Sequence, residues 1–243
     1  MKNELIFKPY GVKAILIEWS PIIDKSIIKD ITNFKNTILK KEEEVIQDFI
    51  IGYNSLLVNY VEEVTDFASK IKRLKELYKQ ENTFSTETNY RWEIPVCYDL
   101  DYGIDLEAVA QIKGLTPEVI IQSHTEAIYT VYFIGFLPGF LYLGGLQSQL
   151  HIDRKAIPNL KVPKGAVALG GVQTGIYPQE SAGGWHIIGN TPISFFDVTQ
   201  ENPCFVKSGD EVCFKSINKE TYLTIEAAIA KGSYQLIKTE IDD

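Results

Sequence analysis

A chain of 243 residues can bury the core of one large domain or two small ones, and 45% hydrophobic with 23% charged residues is the balance of a soluble globular protein. With 24 Lys and Arg against 32 Asp and Glu, the formal net charge is −8 and no basic block occurs, which argues against a nucleic-acid partner. Cys97, Cys204 and Cys213 are odd in number and lack metal-site spacing, so they read as buried thiols in a reducing cytoplasm. The first residues hold only a three-residue apolar run and no cleavage site, unlike a signal peptide.

Residues 1–80 read as β-α-β-β-α. Ala14–Trp19 is a predicted strand, and Asp24 can cap a helix whose apolar stripe, Ile27, Ile28, Ile31, Phe34 and Ile38, recurs at the spacing of one helical face. Strands are expected over 44–51 and 55–60, broken at Gly52. Val64, Phe67, Ile71, Leu74, Leu77 and Tyr78 stripe a second helix. Two helices on one face of an antiparallel sheet is the economical packing, and no catalytic constellation appears here.

The polar, aperiodic residues 81–91 read as a linker, followed by a strand over 92–98 in which Pro95 suggests an edge or bulge. Between Asp105 and Ser123 two short helices are split by Gly114, the second capped by Thr116 with Pro117 in its first turn. The pair has helix-turn-helix spacing, but its second helix offers Glu118 and aliphatics where a DNA reader needs basic and polar residues.

After residue 128 the pattern turns to β. Strands are expected at 129–136, 166–169, 185–188, 193–197, 211–217 and 220–225, with a hairpin at Asn218-Lys219, a helical turn over 227–231 and a frayed acidic tail. Eleven of the 17 glycines and five of the 10 prolines lie between residues 132 and 192, interleaved with Tyr, Phe and Trp, which suggests short strands and tight turns shaping an aromatic-walled cleft. The uncharged run 127–150 is long enough for a membrane span. Pro138 and four glycines interrupt it, so a buried strand and loop is the reading, with no membrane contact. The fold class is therefore α+β: a small N-terminal α+β sandwich over 1–80, a linker over 81–91, and a β-barrel domain over 92–243.

Nucleophile-elbow, phosphate-loop and zinc-helix motifs are absent, and no metal site is visible. His124, between a helix and the glycine-aromatic strand, reads either as an acid, base or ligand near neutral pH, or as a buried histidine with both nitrogens satisfied. His151 reads as surface. Arg154 is the best anion ligand, because its fork holds a carboxylate or phosphate through two hydrogen bonds. Gln173 offers donor and acceptor to an amide or lactam, with Thr174 and Tyr177 beside it. Phe136, Pro138, Phe140 and Trp185 are expected to wall the cleft.

The ordered series His124, Gly135-Phe136-Leu137-Pro138-Gly139-Phe140, Tyr142-Leu143, Val162-Pro163, Gln173-Thr174-Gly175-Ile176-Tyr177-Pro178, Gly183-Gly184-Trp185 and Thr191-Pro192 resembles the B-component family of prokaryotic ATP-dependent 5-oxoprolinases. That family also holds sporulation-kinase inhibitors and the allophanate hydrolase subunit 1 domains of urea carboxylases. The resemblance implies a cyclophilin-like barrel. It also implies a role in opening 5-oxo-L-proline to L-glutamate with ATP, in a hetero-oligomer with the A component and a carboxyltransferase-like C component; because this chain offers few phosphate-binding groups, a half-site completed by the C component, inactive alone, is expected. The alternatives it leaves open are an inhibitor of a histidine kinase and a carboxyltransferase component acting on urea. Asn159, Ala166, Ala182 and Asn190 depart from the family pattern, Asn159 standing where a second arginine is common, so one anion contact is expected to be missing.

Overall fold

The computed structural model describes residues 4–80 and 88–241, and the chain divides into two compact units, Met1–Glu87 and Thr88–Asp243. Residues 81–87, most of the expected linker, lie outside the described residues, and residues 89–91 belong to a strand. The first unit opens with β1 (Ile6–Tyr10) and β2 (Ala14–Glu18), then α1 (Lys25–Glu42), β3 (Ile46–Ile51), β4 (Ser55–Tyr60) and α2 (Phe67–Lys79). Its strands pair antiparallel in the order β1-β2-β4-β3. Alternate residues Leu56, Val58 and Tyr60 of β4 turn inward with Ile15 and Ile17 of β2. They meet the expected stripe of α1 and Leu74, Leu77 and Tyr78 of α2 in one core. Asp24 caps α1 by accepting the Ser26 N–H, and Asp30 ties the layers by accepting Trp19 Nε1 at 2.8 Å and Tyr78 Oη at 2.6 Å. Strand β1 adds to the elements expected from sequence. It is an exposed edge carrying Pro9, which has no N–H to give a ladder, and such a strand leaves little apolar alternation to read.

The second unit runs β5 (Asn89–Cys97), α3 (Leu106–Lys113), α4 (Pro117–Glu126), β6 (Ile128–Ile134), β7 (Leu141–Gly144), β8 (Asn159–Val162), β9 (Ala166–Gly170), β10 (Gln173–Ile176), β11 (Ser181–Gly183), β12 (His186–Asn190), β13 (Glu211–Ile217), α5 (Lys219–Ala230) and β14 (Lys238–Ile241). Its main sheet follows the order β12-β9-β10-β7-β6-β13-β5-β14. The pairing of Asn190 with Cys97 joins β12 back to β5 and closes seven strands into a barrel. Strand β5 runs parallel to β13, and its other edge is shared between β14 near its start and β12 at its end. Ile94, Tyr129, Val131, Leu141, Leu143, Val167, Leu169, Ile176, Ile188, Val212 and Phe214 fill the interior. The intervening residues Phe140, Ala166, Ala168 and Ile187 form a separate cluster with Val162, Tyr177 and Trp185 on the outer face, beside the two-stranded β8–β11 ribbon.

Three expectations for this unit are corrected. The segment 220–225 is helical, not a strand: Asn218 is no hairpin residue but the N-cap of α5, accepting the Thr221 N–H at 2.9 Å. Residues 193–197 form no strand. Ile193 and Phe195 bury their side chains in the core, but Pro192 precedes them and no ladder partner lies alongside among the described residues. The tail is paired, with residues 238–241 extending the sheet along β5.

Candidate functional site

Glycines let the outer-face aromatics settle onto the strands. A Cβ on Gly170 would stand 2.5 Å from the Trp185 indole, and one on Gly183 would stand 2.3 Å from Tyr177 Oη. Both strands therefore need a residue without a side chain where a ring closes over the backbone. Phe140 packs edge-on against Tyr177 (4.9 Å between ring centroids) and Trp185 (5.6 Å). These three rings are almost wholly buried, whereas Phe136 is 62% exposed and holds φ at +66°, the sole non-glycine with positive φ among the described residues.

A cleft of about 270 Å³ opens between these rings. Phe136, Phe140, Tyr142, Tyr177 and Trp185 wall it, Arg154 and Pro158 stand at one side, and Ala182, Gly183 and Gly184 close it. The Arg154 guanidinium lies 5.6 Å from the Trp185 ring centroid, a cation–π contact, and makes no ion pair or hydrogen bond among the described residues. Burial raises the phenols of Tyr142 and Tyr177, partly offset by Arg154 at Tyr142 and by the Trp185 backbone hydrogen bond and Arg154 at Tyr177, so both keep their O–H at neutral pH. The lining holds one cation and no carboxylate, which suits an anionic or acceptor-rich ligand. Among the described residues no group of three or more His, Cys, Asp or Glu is placed to hold a metal, and no helix is long and apolar enough to cross a membrane.

Arg154, Phe136, Phe140, Tyr177 and Trp185 thus come together at the cleft. Gln173 lies on the same outer face: its β9 partner Gly170 sits under Trp185, its side chain is almost wholly buried, and Nε2 has no hydrogen-bond acceptor. Pro138 is exposed in the turn between β6 and β7 and does not line the cleft. His151 is half-buried rather than on the surface, bonded through Nε2 to the Leu146 carbonyl at 3.0 Å. Tyr142 is a wall residue beyond those expected. Its signal in the sequence is the spacing of two from Phe140, which puts both rings on one face of a strand.

Of the two readings of His124, the structure shows the buried histidine with both nitrogens satisfied, away from the cleft, and Thr174 lies with it. Strand alternation turns Thr174 inward, where its hydroxyl donates to the Ala168 carbonyl (3.1 Å) and so can only accept from His124 Nε2 (2.9 Å). The imidazole therefore carries its proton on Nε2 and accepts the Tyr98 hydroxyl at Nδ1 (2.7 Å). It is fully buried and stacks on Phe214 with ring centroids 4.4 Å apart. Burial pushes its pKa down to about 3, and both nitrogens are engaged, so it has no position left for a ligand.

Residues 5–206 match the family described as carboxyltransferase domain, subdomain C and D. The 5-oxoprolinase B component of Haemophilus influenzae is 43% identical over 176 residues, covering 72% of this chain and 81% of that protein. The protein of the same name from Escherichia coli O157:H7 is 35% identical over 204 residues, covering 84% and 92%. The crystal structure of TTHA0988 aligns with a TM-score of 0.73 at 30% identity, over 85% of this chain but 40% of that one. The Kluyveromyces lactis urea amidolyase aligns with a TM-score of 0.80 over 98% of this chain and 16% of its own; at 17% identity that likeness shows the fold. The chain thus spans less than half the length of these two solved chains. A match over most of the sequence, with relatives of this identity and coverage, makes the chain a member of the carboxyltransferase subdomain C and D family to which the 5-oxoprolinase B components belong.

Proposed function

We propose that this chain is the B component of an ATP-dependent 5-oxoprolinase, and that its cleft forms one wall of a site completed by the partner A and C components in the cytoplasm. The observation that carries the reading is the 43% identity to a protein named as a 5-oxoprolinase B component across 72% of this chain. The cleft supports it. A five-membered lactam bearing one carboxylate is small and acceptor-rich, matching a narrow aromatic slot with one unpaired guanidinium. Arg154 would hold the carboxylate through its fork, whereas Gln173, buried beside Trp185, is not among the residues that line the cleft. The rings would exclude water from the amide, which strengthens the Arg154 contact.

The residues present do not fit a whole ATP. At about 270 Å³ the cleft is below the roughly 300–1,000 Å³ of sites that enclose a ligand of that size, and it offers a triphosphate one cation. This cleft is therefore not the whole nucleotide site, which is proposed to draw on a partner. The test is glutamate release from 5-oxo-L-proline by the purified chain, alone and mixed with 5-oxoprolinase A and C components. ATP-dependent release is expected only from the mixture. Robust release by the chain alone would refute the composite site. An inactive mixture would refute the oxoprolinase reading, and tight binding to a histidine kinase would then favour inhibition.

A further inference from the structure

The turn between β6 and β7 carries a conformational cost that the chain does not recover by packing. Leu137 N–H donates to the Gly135 carbonyl at 2.8 Å, closing a three-residue turn about Phe136. With φ at +66° this is the left-handed form of that turn, which is rare and strained. The other eight positive-φ positions among the described residues are all glycine. The base of the turn is fixed. Phe140 N–H donates to the Leu137 carbonyl at 3.0 Å and Gly135 N–H to the Phe140 carbonyl at 3.2 Å. Gly139 lies so close to the neighbouring chain that a Cβ there would stand 2.9 Å from the Phe195 carbonyl oxygen. Burial does not offset the strain, because Phe136 is largely exposed. Among the described residues no ring is stacked on it: Phe140 and Tyr177 stand perpendicular, with centroids 5.6 Å and 6.4 Å away. What the strained turn achieves is placement, an unstacked aromatic ring in the wall of the cleft that also holds Arg154.

We propose that Phe136 is a specificity-determining residue of the cleft, whose ring packs flat on the ring of a cyclic amide and so holds a closed lactam in preference to its open-chain product. A five-membered lactam is rigid and nearly planar, so it meets an aromatic face with little conformational freedom to lose. Open-chain glutamate presents no such face and has several torsions to freeze. It also brings a second carboxylate and an ammonium to a lining with one cation. Ring opening would then weaken the contact that Phe136 makes and favour release. The inference rests on the oxoprolinase reading for its natural ligand, but its binding test does not.

The ¹⁵N-labelled full chain is titrated with 5-oxo-L-proline, with 2-pyrrolidinone (the ring without its carboxylate) and with L-glutamate. The readout is the Trp185 indole N–H signal, assigned by its loss in Trp185→Phe. Both ring probes should move it saturably, and 5-oxo-L-proline should bind at least about 5-fold more tightly than L-glutamate, the lower end of what one aromatic stack contributes. Phe136→Gly should raise Kd for both ring probes by about that factor and change it for L-glutamate by less than about 2-fold. Should the glycine variant not fold, Phe136→Asn removes the ring with a residue that tolerates the left-handed backbone. Phe136→Tyr should keep the wild-type discrimination. Arg154→Ala should weaken 5-oxo-L-proline but not 2-pyrrolidinone, separating the carboxylate contact from the ring contact. Ring probes that leave the Trp185 signal unmoved, bind no better than L-glutamate, or bind the ringless variants as tightly as wild type would overturn the proposal. In the assembled enzyme Phe136→Gly should raise KM for 5-oxo-L-proline about 5-fold or more, and an unchanged KM would overturn the proposal as well. An inactive wild-type assembly would sink the oxoprolinase reading while the titration still decides this one.

Discussion

The buried imidazole of His124 should make the second unit acid-sensitive in a window that its environment sets. In the unfolded chain a histidine titrates near 6.5, whereas burial holds His124 at about 3 in the folded protein. Between those values the unfolded state binds a proton that the folded state refuses, so stability rises with pH through the window and is complete above the unfolded pKa. The slope for one proton is about 1.36 kcal/mol per pH unit, so lowering the pH from 7.5 to 5.0 should remove about 2 kcal/mol through this residue. That figure holds wherever below 5 the folded value lies. The comparison is His124→Gln, which does not titrate and keeps a side-chain amide near Tyr98 and Thr174. Carboxylates titrate in both proteins and cancel in the difference. In urea denaturation followed by circular dichroism, wild type should lose about 1 M more in midpoint than the variant between pH 7.5 and 5.0, for a slope near 2 kcal/mol per M. Parallel losses in the two proteins would refute a neutral, buried His124.

Arg154→Ala breaks no ion pair among the described residues and gives up only the contact with Trp185, so thermal melting should report a change within about 1 kcal/mol. In the assembled enzyme the same variant should weaken binding of a carboxylate substrate by about 10- to 150-fold in KM, the worth of a charge-assisted contact of roughly 1.5–3 kcal/mol. His151→Ala, outside the cleft, should turn over like wild type in that assay. Phe136→Gly removes a left-handed backbone cost of about 1–2 kcal/mol and adds unfolded-state freedom worth about 0.5–1 kcal/mol, so the melting temperature should hold or rise slightly. A loss above about 2 kcal/mol would show that the exposed ring is structural.

The sequence by itself determined the elements whose information is local. Asp24, Thr116 and Asn218 each accept a backbone N–H at a helix start, and the first two are readable because a clear apolar stripe or a following proline marks the helix. Helix α5 reads as a strand because its core-facing stripe is thin: only Tyr222 is fully buried, with Ile225 and Ile229 partly packed on the core. The glycine-aromatic series announces both the family and an aromatic cleft, since interleaved glycines and rings serve neither linker nor ordinary core. It also hides strands β7, β10 and β11, because glycine lowers strand propensity, and only the covering rings explain its presence there. The division of the site was decided by tertiary structure alone. Alternation along a strand says that Gln173 and Thr174 face opposite ways, but not which side is the interior; barrel closure decides that, sending Thr174 and His124 into the core and leaving Gln173 beside Trp185. The lysine that Asn159 meets is held by an aspartate 50 residues earlier in the chain, a contact that no local pattern encodes.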